Sequence, residues 1–175
     1  NKIEQCFTIL DKIKAPPHKI YAALYQLKGR IAWGLGNTNM AESSYLEALK
    51  QIEDLTPSSP EMQDLALKIY IDLGTIYGAV KDYDNCASIL WLVKNRLEQK
   101  GDLGYEYARA LGNIAIAFAG KGAYLKASIY LETAIDILQE LGDVNPSEIA
   151  TLYSSAASCY TEMSNLEEAK SAALK

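Results

Sequence analysis

Histidine, cysteine and proline are scarce in this chain, and so are basic excess and long apolar runs. Each shortage excludes something. A single histidine, His18, follows Pro16–Pro17 in what reads as a surface loop. With no second histidine and no cysteine nearby, neither a metal site nor an activated nucleophile is expected. The three cysteines, Cys6, Cys86 and Cys159, are too few and too scattered for a disulfide framework or a zinc knuckle. Their odd number fits a reducing compartment, and each falls at a helix position that wants a small buried residue. The longest weakly polar stretch, 108–119, contains Arg109 and Asn113 and falls short of the roughly 20 residues that cross a bilayer. The chain opens with no basic, cleavable leader, and it begins at Asn1 rather than Met, as expected of a piece of a longer protein.

Charge excludes a further class. The net charge of −5 and pI near 5.0, without a basic run, argue against binding nucleic acid, whose affinity comes from Lys and Arg on phosphates. The acidic balance reads as a solvated surface. Gly34-Leu35-Gly36 and Gly120-Lys121-Gly122 are too short for a phosphate-binding loop, follow no strand, and suit turns between helices. Carboxylates such as Glu167 and Glu168 sit on polar faces with nothing to shift their pKa. No enzyme activity, cofactor or metal is expected.

What is present is helical. The five prolines fall in three places, Pro16–Pro17, Pro57 with Pro60, and Pro146, and the stretches between them lack proline altogether. Ser59-Pro60 and Asn145-Pro146 read as N-caps followed by proline at the first helical position. Asn145 with Glu148, and Ser164 with Glu167, have capping-box spacing. Between these marks the apolar period is near 3.6. Ile20, Leu24, Leu27, Ile31 and Leu35 form one stripe. Met62, Leu65, Ile69, Leu73, Ile76 and Val80 form another, and Ala127, Leu131, Ala134, Leu138 and Leu141 a third. Helices are expected near 18–35, 38–54, 60–79, 83–99, 103–120, 124–141 and 146–163, with partial helices at both ends.

The chain also resembles itself. Tyr25, Gly29, Ala32, Gly36, Ala41 and Tyr45 align with Tyr70, Gly74, Tyr77, Lys81, Cys86 and Leu90. Leu111, Ala115, Phe118, Gly122, Ala127 and Leu131 follow the same order, as do Tyr153, Ala157, Tyr160, Ser164 and Ala169. Large, small, often aromatic, turn, small, large: the pattern resembles the tetratricopeptide repeat, with Leu73-Gly74-Thr75-Ile76-Tyr77 its cleanest match. Lys28, Ala32 and Cys86 depart from the usual residues. Cys6, Leu10 and Ile13 have second-helix spacing. The offsets of 45, 41 and 42 residues exceed the usual ~34 and resemble the long-repeat branch of the family. The resemblance implies an all-α fold, a right-handed α-solenoid of antiparallel helix pairs. It would divide into the end of a preceding repeat (1–15), full repeats at 18–55, 60–100 and 103–142, and a partial repeat at 146–175.

It also implies a protein–protein interaction scaffold, with the first helix of each pair lining a concave groove that takes a peptide or extended segment. Carried onto this sequence, the groove set is Gln26, Arg30 and Trp33, then Ile71 and Thr75, then Ile116, with Lys68, Arg109 and Asn113 on the rim. Gly78, Gly112, Gly120, Ser154, Ser158, Thr161 and Glu162 fall at equivalent places, making much of the groove small and neutral. Tyr25, Tyr45, Tyr70, Tyr77, Tyr124, Tyr153 and Tyr160 fall at packing positions. A second expected surface is the apolar excess of Ile89, Trp91 and Leu92, which would bind a partner or another copy of the chain, or bury a wider stripe against the next repeat. The expected setting is intracellular, with a protein or peptide partner and neither membrane nor nucleic acid. The alternative is a ligand-sensing, regulatory domain of a signalling or transcription-regulatory protein.

Overall fold

A computed structural model describes residues 2–10, 12, 18–53 and 59–173. Among these residues there are eight helices and no strand: α1 (Lys2–Leu10), α2 (His18–Gly34), α3 (Thr38–Glu53), α4 (Pro60–Ala79), α5 (Tyr83–Lys100), α6 (Tyr105–Gly120), α7 (Tyr124–Leu141) and α8 (Pro146–Ala173). The fold is an all-α helical repeat. Ile13, Pro16, Pro17 and Pro57 lie outside the described residues. The chain divides into two compact units, Asn1–Ile76 and Tyr77–Lys175.

The same turn follows three of the helices. After α2, Gly36 takes φ +75° and Asn37 N–H donates to Ala32 O at 2.9 Å. After α4, Lys81 takes φ +64° and Asp82 N–H donates to Tyr77 O at 2.8 Å. After α6, Gly122 takes φ +76° and Ala123 N–H donates to Phe118 O at 2.9 Å. A left-handed residue followed by a bond reaching five residues back satisfies the last carbonyls and reverses the chain. The repeat read from side chains therefore recurs in the backbone. Lys81 occupies the left-handed position against its preference, with Asp82 capping α5 through Asn85 N–H at 3.2 Å.

In the first unit, α2 and α3 pair closely. A Cβ on Gly29 would lie 2.6 Å from the Tyr45 ring, which is 2% exposed, so the absent side chain sets how near the helices come. At the other end of the pair, His18 Nδ1 and Gln51 Oε1 are 2.9 Å apart. His18 thus opens α2 and is exposed, rather than sitting in a loop. Glu4 on α1 pairs with Lys28 on α2 at 2.9 Å. Cys6, expected to be buried, is exposed on α1.

The stripe of Ile20, Leu24, Leu27, Ile31 and Leu35, a face expected to pack on some neighbour, is not the face that α2 turns to α3. Ile20, Leu27 and Ile31 are each 44% exposed and Leu35 80%, while α2 buries Ala22, Gly29 and Ala32. Helix pairing here selects small residues that admit a partner's ring, not the bulkiest face. The α4 stripe behaves as expected, with Met62, Ile69, Leu73 and Ile76 buried and only Val80, beyond the helix, exposed.

In the second unit consecutive helices pack in turn. Tyr107 donates to Glu98 at 2.7 Å, joining the start of α6 to the end of α5. Lys121 and Asp84 pair at the other end. The α6–α8 core brings together Ala115, Ala127, Leu131, Ala156 and Cys159, with Phe118 and Tyr130 stacked beside it at 5.5 Å. Each large aliphatic side chain fully buried this way contributes about 1.5–3 kcal/mol. Leu141, last of the α7 stripe, is exposed.

The final helix also departs from expectation. Asn145 caps it, accepting from Ser147 N–H at 3.0 Å, but Glu148 turns away to accept from Tyr105 OH at 2.9 Å instead of completing a capping box. At Ser164, the position equivalent to Gly36, Lys81 and Gly122, no turn forms and α8 runs on to Ala173. The side chains of Glu167 and Glu168 lie outside the described residues. Tyr153 and Tyr160, expected to pack inside, are 51% and 47% exposed on α8.

These contacts predict opposite outcomes at two positions. Gly29→Ala should lose about 1–3 kcal/mol in urea denaturation, because the ring of Tyr45 has no room to retreat. Lys81→Gly should gain about 1 kcal/mol, because glycine adopts a positive φ without strain. A neutral Gly29→Ala would mean that the α2–α3 approach is not set there.

Candidate functional site

The exposed face of α6 carries the best-assembled part of the expected groove. Arg109, Asn113 and Ile116 follow one another at helical spacing and share that face. Ile116 is 41% exposed and Arg109 and Asn113 are half-buried. Arg109 is held by Glu106 at 3.0 Å and lies over the Tyr105 ring at 5.9 Å. The Asn113 carbonyl faces the Cys86 thiol at 3.6 Å. Burial, with the carboxylate of Glu148 accepting its hydroxyl, raises the pKa of Tyr105. The result is a fixed guanidinium, an amide and an open aliphatic side chain in line, which suits hydrogen bonding to a peptide backbone beside an apolar side chain.

The small residues expected to floor this groove have a different role. A Cβ on Gly112 would lie 2.9 Å from Leu152 of α8, and one on Gly120 would overlap the Tyr83 ring of α5. One on Gly78 would meet Ile116 at 3.4 Å and the Cys86 sulfur at 3.6 Å. These glycines let helices and side chains pack closely. Gly34 differs, with open space around it. Ser154, Ser158, Thr161 and Glu162 are exposed on α8.

In the first unit, Gln26, Arg30 and Trp33 share one face of α2 at i, i+4 and i+7. Arg30 is exposed and the other two are half-buried. Lys68 is exposed and Thr75 half-buried on α4, where Thr75 donates to Ile71 O at 3.1 Å. Ile71 itself is fully buried, at 0% exposure. It cannot touch a partner, a correction to the expected groove set: counting along the helix put it one step too far toward solvent. An open hollow of about 530 Å³, lined by Tyr25, Lys28, Asn37, Met40, Ser44 and Glu47, lies beside the α2–α3 turn and had no signal in the sequence.

The expected outer patch divides. Trp91 is half-buried, edge-on to Tyr130 of α7 at 6.2 Å, with the Lys94 ammonium 5.1 Å from its ring. Lys94 also bonds Glu98 at 2.7 Å, and Glu98 is held below the usual carboxylate pKa by hydrogen bonds from Lys94 and Tyr107. Trp91 thus joins α5 to α7, whereas Leu92 is 47% exposed and Ile89 half-buried. Sequence reasoning missed Leu125 and Ile129 on α7, at 65% and 54% exposure.

No cluster of potential metal ligands occurs among the described residues, and no described helix is long and apolar enough to cross a membrane. The cysteines carry no obvious chemistry. Burial pushes the Cys86 thiol up to about 11, and burial likewise raises Cys159. A thiol held protonated is a poor nucleophile. Maleimide at pH 7.5 should label Cys6 rapidly and the other two only after denaturation; rapid labelling of Cys86 would show that its site opens. The raised thiol pKa also gives a pH dependence. Its stabilisation is complete below pH 9, the unfolded value, and is lost as pH rises toward about 11. Cys86→Ala should flatten that alkaline limb of a stability profile.

Comparison with known proteins gives three findings. A family model described as Tetratricopeptide repeat matches residues 22–54, from within α2 to the end of α3. A human protein named "Putative tetratricopeptide repeat protein 41" is 32% identical over 126 residues, 67% of this chain but only 9% of that protein's length. The crystal structure of BtubC (BKLC) from P. vanneervenii is similar over 97% of this chain and 66% of its own, with a TM-score of 0.77 and 14% identity.

Proposed function

Because this chain belongs to the tetratricopeptide repeat family, whose repeats mediate protein–protein interaction, we propose that it is a non-catalytic scaffold that binds a peptide or extended segment of a partner protein. Its repeats run 18–55, 60–100 and 103–142, with a partial repeat at 146–175. The recurrence of one turn at Gly36, Lys81 and Gly122 supports the three full repeats. The buried, protonated thiols fit an intracellular, reducing setting.

The observation that carries this reading is the face of α6, where an exposed Ile116 adjoins Asn113 and the Arg109 that Glu106 holds. A bound segment would lay an apolar side chain on Ile116 and exchange backbone hydrogen bonds with the amide of Asn113. A second contact face is Gln26, Arg30 and Trp33, where a half-buried indole is a suitable anchor and Arg30 supplies charge. Lys68 and Thr75 extend the first unit's set, and Ile89, Trp91 and Leu92 are the weaker outer surface.

A pull-down from lysate should be run with the chain and two double variants, Asn113→Ala/Ile116→Ala and Arg30→Ala/Trp33→Ala. Far-ultraviolet circular dichroism checks that each is folded. At least one folded variant should lose a partner that the parent captures, or bind it about tenfold or more weakly, as expected for removing a central contact. Identical capture by all three would overturn the assignment of both faces.

A further inference from the structure

The charge of this chain is unevenly placed. Residues 124–164 hold six carboxylates and one lysine, whereas the remaining residues hold sixteen of each. The whole net charge of −5 therefore resides in α7, the first part of α8 and the turn between them. The one lysine there, Lys126, lies 5.7 Å from the Phe118 ring.

Part of this charge borders an open apolar face. Leu125, Ile129, Glu132, Asp136 and Glu140 recur at helical spacing within about 80° of the circumference of α7. All five are exposed, Leu125 by 65% and Ile129 by 54%. On α8, Tyr153, Ala157 and Tyr160 form a second exposed row at helical spacing. Tyr160 donates to Glu132, and Gln139 donates to Tyr153 at 2.9 Å, so the two rows run antiparallel side by side. A hydroxyl donated to Glu132 leaves its negative charge in place. Among the described residues no cation pairs with Asp136 or Glu140. The surface is apolar at the start of α7, around Leu125 and Ile129, and acidic toward its end. Tyr160 lies beside its middle and Tyr153 beside its acidic end. From Leu125 to Glu140 it extends about 22 Å, or roughly four helical turns.

We propose that this surface docks a basic amphipathic helix of a partner protein, with bulky apolar side chains in one half and lysine or arginine in the other. The apolar half covers Leu125 and Ile129, and the cations meet Asp136 and Glu140. Two parallel rows of side chains match a helix laid alongside them, whose own apolar residues recur on one side. The local excess of carboxylates attracts a cationic segment and repels nucleic acid, anionic lipid and acidic peptides. This reading is independent of the groove, because Asn113, Ile116, Arg30 and Trp33 take no part in it.

Fluorescence anisotropy with three labelled peptides of roughly 16 residues tests this. The first is a helix-forming peptide with leucines along one half and lysines along the other. The second has glutamate for each lysine, and the third has glutamine for each leucine. The chain should bind the first about tenfold or more tightly than either of the others, and raising salt from about 50 to 500 mM should weaken it. Leu125→Ser/Ile129→Ser and Asp136→Asn/Glu140→Gln should each weaken that binding about tenfold. All four side chains are exposed, so the fold should survive, which circular dichroism checks. Asn113→Ala/Ile116→Ala should bind like the parent. No binding of the leucine–lysine peptide would overturn the proposal. Equal binding of the leucine-free peptide, or by the Leu125→Ser/Ile129→Ser variant, would also overturn it, by showing charge attraction alone. A loss confined to Asn113→Ala/Ile116→Ala would place the peptide in the groove instead. Self-association in sedimentation velocity that the two α7 variants abolish would make a second copy the occupant, and this reading would fall.

Discussion

The helix pairs depend on side chains that are missing. Where Gly29 faces Tyr45, Gly112 faces Leu152 and Gly120 faces Tyr83, a single added carbon would collide with its neighbour. Close approach lets a ring or an aliphatic side chain fill the space between two backbones, and dense packing of this kind is where dispersion and burial stabilise a small helical unit. A helix pair built on small residues does not require its own bulkiest face. That face remains for something else, and α2 is the clearest case.

This constraint separates what was legible in the sequence from what was not. The all-α architecture, the bounds of α2 to α7 within a residue or two, and the turns at Gly36, Lys81 and Gly122 were legible because local signals agreed: proline placement, helical period, and a repeated order of large and small residues. The partner of a face was not. A stripe such as Ile20, Leu24, Leu27, Ile31 looks like a core stripe whatever covers it. Only a neighbour distinguishes it from Ile69, Leu73 and Ile76, which are buried. Tyr153 and Tyr160 make the same point, since they sit at packing positions of the repeat and remain open where α8 continues past Ser164.

Arg109, Asn113 and Ile116 share one face as their spacing required, and Ile71 was misplaced because its position on α4 is buried. Charge is the signal that sequence reasoning passed over. A net charge of −5 hides its distribution: α2 holds only cations, while Glu132, Asp136 and Glu140 accompany a single lysine on α7. Binding chains distinguish partners by such local contrasts more than by total charge.

The central claim is that pairing through small residues leaves Ile20, Leu27 and Ile31 of α2 partly open to solvent. Carbene footprinting of the dilute chain reads this residue by residue. The account predicts strong labelling of Ile20, Leu27 and Ile31, with Ile69, Leu73, Leu90 and Leu111 protected. Protection of the α2 residues equal to that of Leu90 and Leu111 at high dilution would contradict it.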